Sequence, residues 1–413
     1  MQKRFTPDAS GVFPEWEEKT LGECITLIAS KGYKGKDLVS DESKAIMFSP
    51  SDIDTFGAVS LVKNAHISDE LFQKSKEALV KNGDILFTKT ASIGKVGYVK
   101  NLDHNATINP QIVILRANEN IDSYLLFCAV KTEAFKKQVR KISGGTTIKT
   151  MSQEALKKLK IKIPKSIEEQ RKIAAALSAY DEMIAVKTAK LETWQECKKR
   201  MVKEIFGRTK RFKDDDGREF PEWEEKTLGE ITEYVRNGYS YKPDGVRTHK
   251  YKVTRIETIS TGKINPEKLG SCEECDEKYL LKPGDILYSN INSLSYLGNT
   301  AIYKNSSEKI YHGMNLLCIR TKSDDIDADY LFAFLNSETA RKFVKYNAQR
   351  AVNQCSIKVS DVRNMRIPLP CMEEQQKIGS FLAKIDKEIE IQKEFIKTYA
   401  EGKKRTMKEL MEG

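Results

Sequence analysis

Apolar positions along this chain follow two different periods, and each arrangement occurs twice. KNGDILF (Lys81–Phe87) and KPGDILY (Lys282–Tyr288) place a glycine turn before a short apolar, β-branched run, which predicts a turn followed by a strand. Ile112–Arg116 and Leu316–Arg320 have the length and apolar continuity of buried strands. Ser123–Val139 and Asp329–Tyr346 carry apolar residues three to four apart and predict amphipathic helices, with Ser123 and Asp329 as N-caps. Strand-like IKIP (Ile161–Pro164) and RIPLP (Arg366–Pro370) follow.

The most regular pattern comes next in each half. In Glu168–Phe206, the residues Ile173, Leu177, Tyr180, Ile184, Leu191, Trp194, Met201 and Ile205 fall on one heptad stripe, interrupted by Lys187 and Lys198. In Glu373–Met411, Ile378, Leu382, Ile385, Ile389, Ile396, Tyr399 and Leu410 do the same. Neither run contains proline, and prolines precede both. At 1.5 Å per residue such a helix is on the order of 55 Å long. A narrow apolar stripe on a long helix needs a partner helix, and the matching one is the chain's other copy. Because a long globular segment intervenes, the two are expected to pair antiparallel, with Trp194 in the seam. The fold class is therefore α+β: two similar α/β domains separated by two long helices that form an antiparallel coiled coil, a pseudo-two-fold internal duplication. The expected divisions are 1–165 and 209–370 for the domains, and 166–208 and 371–413 for the helices.

The duplication is explicit in the residues. FPEWEEKTLGE occurs without a difference at Phe13–Glu23 and at Phe220–Glu230. Shortly after it come KGYKGK (Lys31–Lys36) and RNGYSYK (Arg236–Lys242), which share only a Gly-Tyr with basic neighbours. The polar segments before the last strands, Ser143–Ser152 and Asn347–Ser356, share no sequence.

Composition narrows the class. The chain has 413 residues, 39% of them hydrophobic and 31% charged, with a formal net charge of +11. Ile25–Lys160 holds 21 Lys and Arg against 14 Asp and Glu, and Ile231–Arg366 holds 21 against 16, so the two basic regions coincide with the two domains. Two such regions suggest two surfaces facing a polyanion. No apolar run approaches the ~18 residues that span a bilayer. The opening MQKRFTPDAS lacks the apolar core of a secretory signal, so a cytoplasmic location and no membrane partner are expected. Of eight cysteines only Cys272 and Cys275 are closely spaced, with no second pair or nearby histidine to complete a zinc set; free thiols fit a reducing compartment.

The sequence lacks the common catalytic signatures. There is no Asn/Asp-Pro-Pro-aromatic loop for an amino methyltransferase, since Asn109-Pro110 is followed by Gln111. Neither a Rossmann fingerprint nor a GxxxxGK[ST] phosphate loop occurs. Pro7-Asp8 with Glu17-Glu18-Lys19 formally matches a PD…ExK nuclease, but Glu224-Glu225-Lys226 has no Pro-Asp before it, and Trp16 and Trp223 are expected to dock on a core. His66, His104, His249 and His312 have no nucleophile or carboxylate at a telling spacing.

The order of these motifs, twice over, resembles the specificity subunits of type I restriction–modification systems. The residues that carry the resemblance are FPEWEEKTLGE at each domain start, GDILF or GDILY within it, and PKSIEEQRKI (from Pro164) and PCMEEQQKI (from Pro370) at each helix start. It covers essentially the whole chain. It implies a chain with no catalytic site and no cofactor of its own. Each of two target recognition domains would read one half of a split, asymmetric double-stranded DNA sequence. The helices would set the unread gap and dock two modification (methyltransferase) subunits, which use S-adenosylmethionine. Restriction subunits, which use ATP and Mg²⁺, would join that complex.

Candidate DNA contacts are polar loops at equivalent places that differ in sequence, because half-sites that differ need surfaces that differ. The first loop offers Lys31, Tyr33 and Lys34 in one copy, and Arg236, Asn237, Tyr239, Tyr241 and Lys242 in the other. The second, after GDILF/Y, offers Lys89, Thr90, Ser92 and Lys95, and Asn290, Asn292, Ser293 and Tyr296. The third offers Thr146, Thr147 and Lys149, and Gln349, Arg350, Asn353 and Gln354. Asn and Gln pair bidentately with adenine and Arg with guanine, while Lys and Arg neutralise phosphates. Gly83, Asp84, Gly284 and Asp285 are expected to form turns. On the helices, Gln170, Lys172, Gln375 and Lys377 are the candidates for meeting a modification subunit.

Overall fold

The structure is a computed structural model, and it describes residues 5–6, 12–30, 32, 37–42, 44–142, 150–240, 250–260, 262–304, 308–351 and 354–412. The chain forms two compact units, residues 1–189 with 393–413 and residues 190–392. These are called unit 1 and unit 2. The long helix Ile167–Phe206 begins in unit 1 and ends in unit 2, and the long helix Met372–Met407 does the reverse. Among the described residues no helix is long and apolar enough to cross a membrane.

Each unit is built on a four-stranded antiparallel sheet of the same order. In unit 1 the order is Ile25–Ala29, Ile112–Ala117, Ile85–Thr88, Val96–Tyr98; in unit 2 it is Thr232–Asn237, Leu317–Thr321, Ile286–Tyr288, Thr300–Ile302. The apolar runs are central strands, buried on both faces. Ile85, Leu86, Phe87, Ile112, Val113, Ile114 and Leu115 are fully inaccessible, as are Ile286, Leu287, Tyr288 and Ile319. A second, smaller sheet packs beside each, with one parallel pairing: Ile46–Phe48 with Ala106–Ile108, and Tyr251–Val253 with Ile310–Tyr311. The repeated EEKT strands, Glu17–Thr20 and Glu224–Thr227, pair antiparallel with Lys160–Ile163 and Arg366–Leu369.

The amphipathic segments are each two helices rather than one. Ser123–Ala129 is followed by Glu133–Ile142, and Ala328–Leu335 by Glu338–Asn347. The breaks fall at hydroxyl residues that re-cap the chain: Thr132 Oγ1 accepts from Phe135 N, and Ser337 Oγ from Ala340 N. The first helices are capped by Asp122 and Asp327, not by Ser123 and Asp329. An ionised carboxylate placed just ahead of a helix accepts from its free N–H groups and opposes the dipole, which the residues inside the first turn cannot do as well.

The repeated EEQ at the start of each long helix fastens that helix to its own unit. Glu169 and Glu374 are fully buried and accept the indole N–H of Trp16 (3.2 Å) and Trp223 (2.8 Å). Glu374 is also paired with Arg211 at 2.9 Å. Gln170 Oε1 accepts from Asp122 N at 2.8 Å while its amide donates to Pro164 O at 2.9 Å; Gln375 repeats this with Asp327 N and Pro370 O at 2.9 and 2.9 Å. FPEWEEKTLGE is thus identical in both copies because it meets the same helix start in both.

Within each unit the two long helices run antiparallel over a shared seam. In unit 1, Ile173, Leu177 and Leu410 join the domain core, and in unit 2 Met201, Ile205, Ile378, Leu382, Ile385 and Ile389 do, with Leu191 and Trp194 packed against them. Charged residues that enter the seam find partners across it. Lys403 holds both carboxylate oxygens of Asp181 at 2.6 Å, and Lys198 holds Asp386 at 2.6 Å. These two pairs occupy the same places counted from Gln170 and Gln375, so the polar register mark is duplicated along with the fold. Lys187 lies 4.3 Å from the centre of the Phe395 ring.

One close approach requires glycine. A Cβ on Gly379 would lie 2.7 Å from Asp327 Oδ1 and 2.9 Å from Tyr330 N, inside the cap of the helix Ala328–Leu335. The corresponding residue of unit 1 is the buried Ala174. Gly379→Val should therefore lower the stability of unit 2 by about 1–3 kcal/mol through overpacking, read as a shift in the denaturant midpoint at constant slope.

Candidate nucleic-acid interface

The two GD turns fix where the candidate loops start. Gly83 and Gly284 have φ of +89° and +92°, a region glycine reaches without strain. The aspartates that follow are buried beneath the turn. Asp84 accepts from Lys81 N (2.7 Å) and takes a two-pronged bond from Arg116 (2.8 and 2.7 Å); Asp285 accepts from Lys282 N (2.7 Å) and from Arg320 (2.7 and 2.7 Å). The hydrogen bond to Asp84 raises the pKa of Arg116, and Asp285 does the same to Arg320, so both guanidinium groups stay charged. Each clamp joins two neighbouring strands and holds rigid the strand from which the second loop emerges.

The strand registers then bring the loops to one end of each sheet. In unit 1, Ala29 and Phe87 both face Val113 from opposite sides; in unit 2, Asn237 and Tyr288 both face Leu317. The first and second loops therefore leave the sheet at the same end, about 10 Å apart at two interstrand spacings. The third loop is tied to the second by backbone pairing. In unit 2, Ile291–Asn292 pairs with Cys355–Ser356, which pairs in turn with Gln349–Arg350. In unit 1, Thr90 bridges to Thr150, and Met151 N donates to Lys89 O at 2.8 Å.

At this end the residues divide by accessibility. Ser92, Asn237, Ser293, Gln349, Arg350 and Gln354 are exposed, Tyr296 is 48% exposed, and Lys89 and Asn292 are half-buried. Ser293 N is held by Asn292 Oδ1 at 2.8 Å, which shapes the loop. Lys31, Tyr33, Lys34, Thr146, Thr147, Lys149, Tyr241, Lys242 and Asn353 lie outside the described residues.

Several candidates make contacts within their own unit. Arg236 donates to Lys278 O, and its guanidinium stacks over Tyr234 (4.1 Å) and Tyr279 (5.3 Å). Tyr239 packs on Tyr279, and Lys95 Nζ is taken up by Pro50 O at 2.7 Å. Asn290 is 5% exposed, and its backbone carbonyl accepts from Ile357 N. Among the described residues the buried Asn290 Oδ1 and Thr90 Oγ1 atoms have no hydrogen-bond partner, at the loop end of each unit. Of the helix candidates, Gln170 and Gln375 are each 1% exposed and, among the described residues, bond within their own unit. Lys172 donates to Thr6 O and pairs with Glu168, while Lys377 donates to Lys213 O and pairs with Asp215 and Glu373. These four residues anchor the helix starts.

Sequence pattern missed Tyr346, which is 90% exposed at the end of the helix Glu338–Asn347, three residues before the Gln349–Arg350 strand. The signal available was its position off the buried Ala340–Val344 stripe. Of the formal nuclease residues, Glu18 pairs with Lys160 and Lys19 with Glu17, while Pro7 and Asp8 lie outside the described residues. Among the described residues no group of three or more His, Cys, Asp or Glu could hold a metal ion.

Comparison with known proteins gives a consistent set of matches. The family model of the type I restriction modification DNA specificity domain matches twice, over residues 14–193 and 221–398. A putative type I restriction enzyme MjaX specificity subunit of Methanocaldococcus jannaschii is 40% identical over 210 residues, which is 50% of this chain and 49% of that relative, so the match spans about half of its length. The type I restriction enzyme MjaVIII specificity subunit of the same organism is 27% identical over 97% of this chain and 92% of its own. In fold, the crystal structure of a type I restriction–modification system S subunit from M. genitalium is similar at a TM-score of 0.66 and 16% identity, covering 98% of both chains.

Proposed function

The chain belongs to the type I restriction modification DNA specificity family, and we propose that it is the DNA-specificity subunit of such a system. Its part is recognition rather than catalysis: each unit reads one half of a bipartite, asymmetric DNA target. The observation that carries this reading is the convergence of the three divergent loops at one end of two sheets whose strand order is the same. A common scaffold with different loop chemistry suits two half-sites of different sequence.

The chemistry at each loop end divides as DNA recognition requires. Lys89 and Arg350 would neutralise phosphates, which positions the duplex. Asn237, Asn292, Gln349 and Gln354 present amides able to discriminate adenine in the major groove, and Ser92 and Ser293 hydroxyls able to donate or accept. The long helices would set the unread gap and dock two modification subunits through faces other than Gln170, Lys172, Gln375 and Lys377. S-adenosylmethionine would be bound by those modification subunits, and ATP and Mg²⁺ by restriction subunits.

Methylome sequencing of cells carrying this chain with its modification subunit tests the proposal. A bipartite methyladenine motif with two unlike halves is the expected outcome; its absence in a strain where the complex assembles overturns it. A second expectation concerns affinity. Lys89→Ala and Arg350→Ala should each weaken duplex binding on all sequences and reduce the slope of log K against log salt by about 1, measured by fluorescence anisotropy across a salt series.

A further inference from the structure

The duplication makes each unit a template for the other, and at one place the template is not followed. In unit 2, Phe206 lies edge-on to Phe334 with ring centres 5.3 Å apart, and against Tyr330 at 5.6 Å. Counted from Gln170 and Gln375, the corresponding residues of unit 1 are Met411, Ala129 and Leu125. All three rings are missing there. A cavity of about 470 Å³ lies at Ala129 and Met411 in unit 1. Its volume falls within the ~300–1,000 Å³ usual for ligand pockets.

The walls define what would fill it. Ala129, Phe135, Ile161 and Met411 supply apolar surface, and the positions in unit 2 that correspond to Met411 and Ala129 carry the rings of Phe206 and Phe334. The rim is basic. Glu18 is neutralised by Lys160 at 2.6 Å, and Glu133 by Lys136 and Arg140 at 3.1 and 3.3 Å. Lys137 and Lys162 are exposed and have no ion pair among the described residues. An aromatic ring set among carboxylates matches both parts.

We propose that this cavity is a docking site for one aromatic side chain carried on an acidic segment of a partner protein, present in unit 1 and plugged in unit 2 by Phe206 and Phe334. Rings buried in such pockets are the usual energetic centres of protein interfaces, and exposed charges around them tune rate and specificity. The proposal is independent of DNA recognition, since it uses none of the loop-end residues.

The test uses the full chain and a fluorescein-labelled pentapeptide, Asp-Glu-Phe-Asp-Glu, followed by anisotropy. Saturable binding is expected, weakened at least about tenfold when the peptide's Phe is replaced by Ala, a loss of about 1.4 kcal/mol. Ala129→Phe, which restores one ring of unit 2, should abolish binding with the melting temperature unchanged or raised. Should that variant not fold, Lys137→Glu with Lys162→Glu, both on the surface, should weaken binding at least about tenfold at unchanged melting temperature. The proposal is overturned by an Ala peptide that binds as well, by no saturation at millimolar peptide, or by binding that the lysine reversals leave intact. Phenol that binds with an affinity indifferent to those reversals, with no peptide binding, would mark a small-molecule pocket and overturn it as well.

Discussion

Asp285→Ala should destabilise unit 2 by about 1–3 kcal/mol, the cost of leaving a half-buried guanidinium without the carboxylate that binds it. Asp285 is 1% exposed and, among the described residues, is the acceptor of Arg320 Nε; the same carboxylate also holds the Lys282 N–H that closes the GD turn. The loss is therefore threefold: the ion pair, the turn, and the link between two central strands. Asp285→Leu combined with Arg320→Met removes both charges and should recover part of the stability, because two apolar groups of similar size need no pairing. Urea unfolding of the three proteins measures this. A single variant as stable as the parent would show that the clamp is not what holds the loop end.

Acidification should destabilise unit 2 through His312. This imidazole is 1% exposed, and its Nε2 donates to Leu316 O at 3.0 Å, which fixes the neutral tautomer because a carbonyl can only accept. Burial, opposed by the Leu316 bond and reinforced by the nearby Arg236 charge, pushes its pKa from 6.5 down to about 4, with Asp285 pulling weakly the other way. Between those two values the unfolded chain takes up a proton that the folded chain does not. Stability is therefore complete above about pH 6.5 and falls as pH drops towards 4, by on the order of 3 kcal/mol in all. His312→Gln keeps a donor for Leu316 O and cannot titrate, so its stability between pH 6.5 and 4 should be flatter. Denaturant titrations at a series of pH values make the comparison; parallel curves for the two proteins would exclude the imidazole as the cause.

The fold was legible where local pattern and tertiary role agree. The strands Ile85–Thr88, Ile112–Ala117, Ile286–Tyr288 and Leu317–Thr321 and both long helices lie where apolar periodicity places them. Pattern failed where a polar side chain serves the backbone of a distant element. Gln170 and Gln375 read as candidates for meeting a modification subunit, yet each is buried because it satisfies a backbone N–H and carbonyl group outside its own helix. The helix breaks at Thr132 and Ser337 were hidden by apolar residues that keep the right spacing on both sides. The candidate interface was legible as loops but not as side chains. Arg236, Lys95 and Asn290 have the chemistry of base and phosphate readers, and only the registers and stacking partners show that they face inward.

The placing of residues 393–413 in unit 1 has a consequence for how the chain folds as it is made. Leu410 and Met411 belong to the same core as Leu21, Phe87 and Leu126, and Lys403 pairs with Asp181. Synthesis runs from the N-terminus, at about 5–20 residues per second. Unit 2 is one uninterrupted stretch, 190–392, so all of its residues have left the ribosome before the last segment of unit 1 appears. The unit that is made first is therefore completed last, and until then it exposes the apolar groove that its final helix segment covers. A stop codon after residue 392 would leave every residue of unit 2 in place and open the core of unit 1.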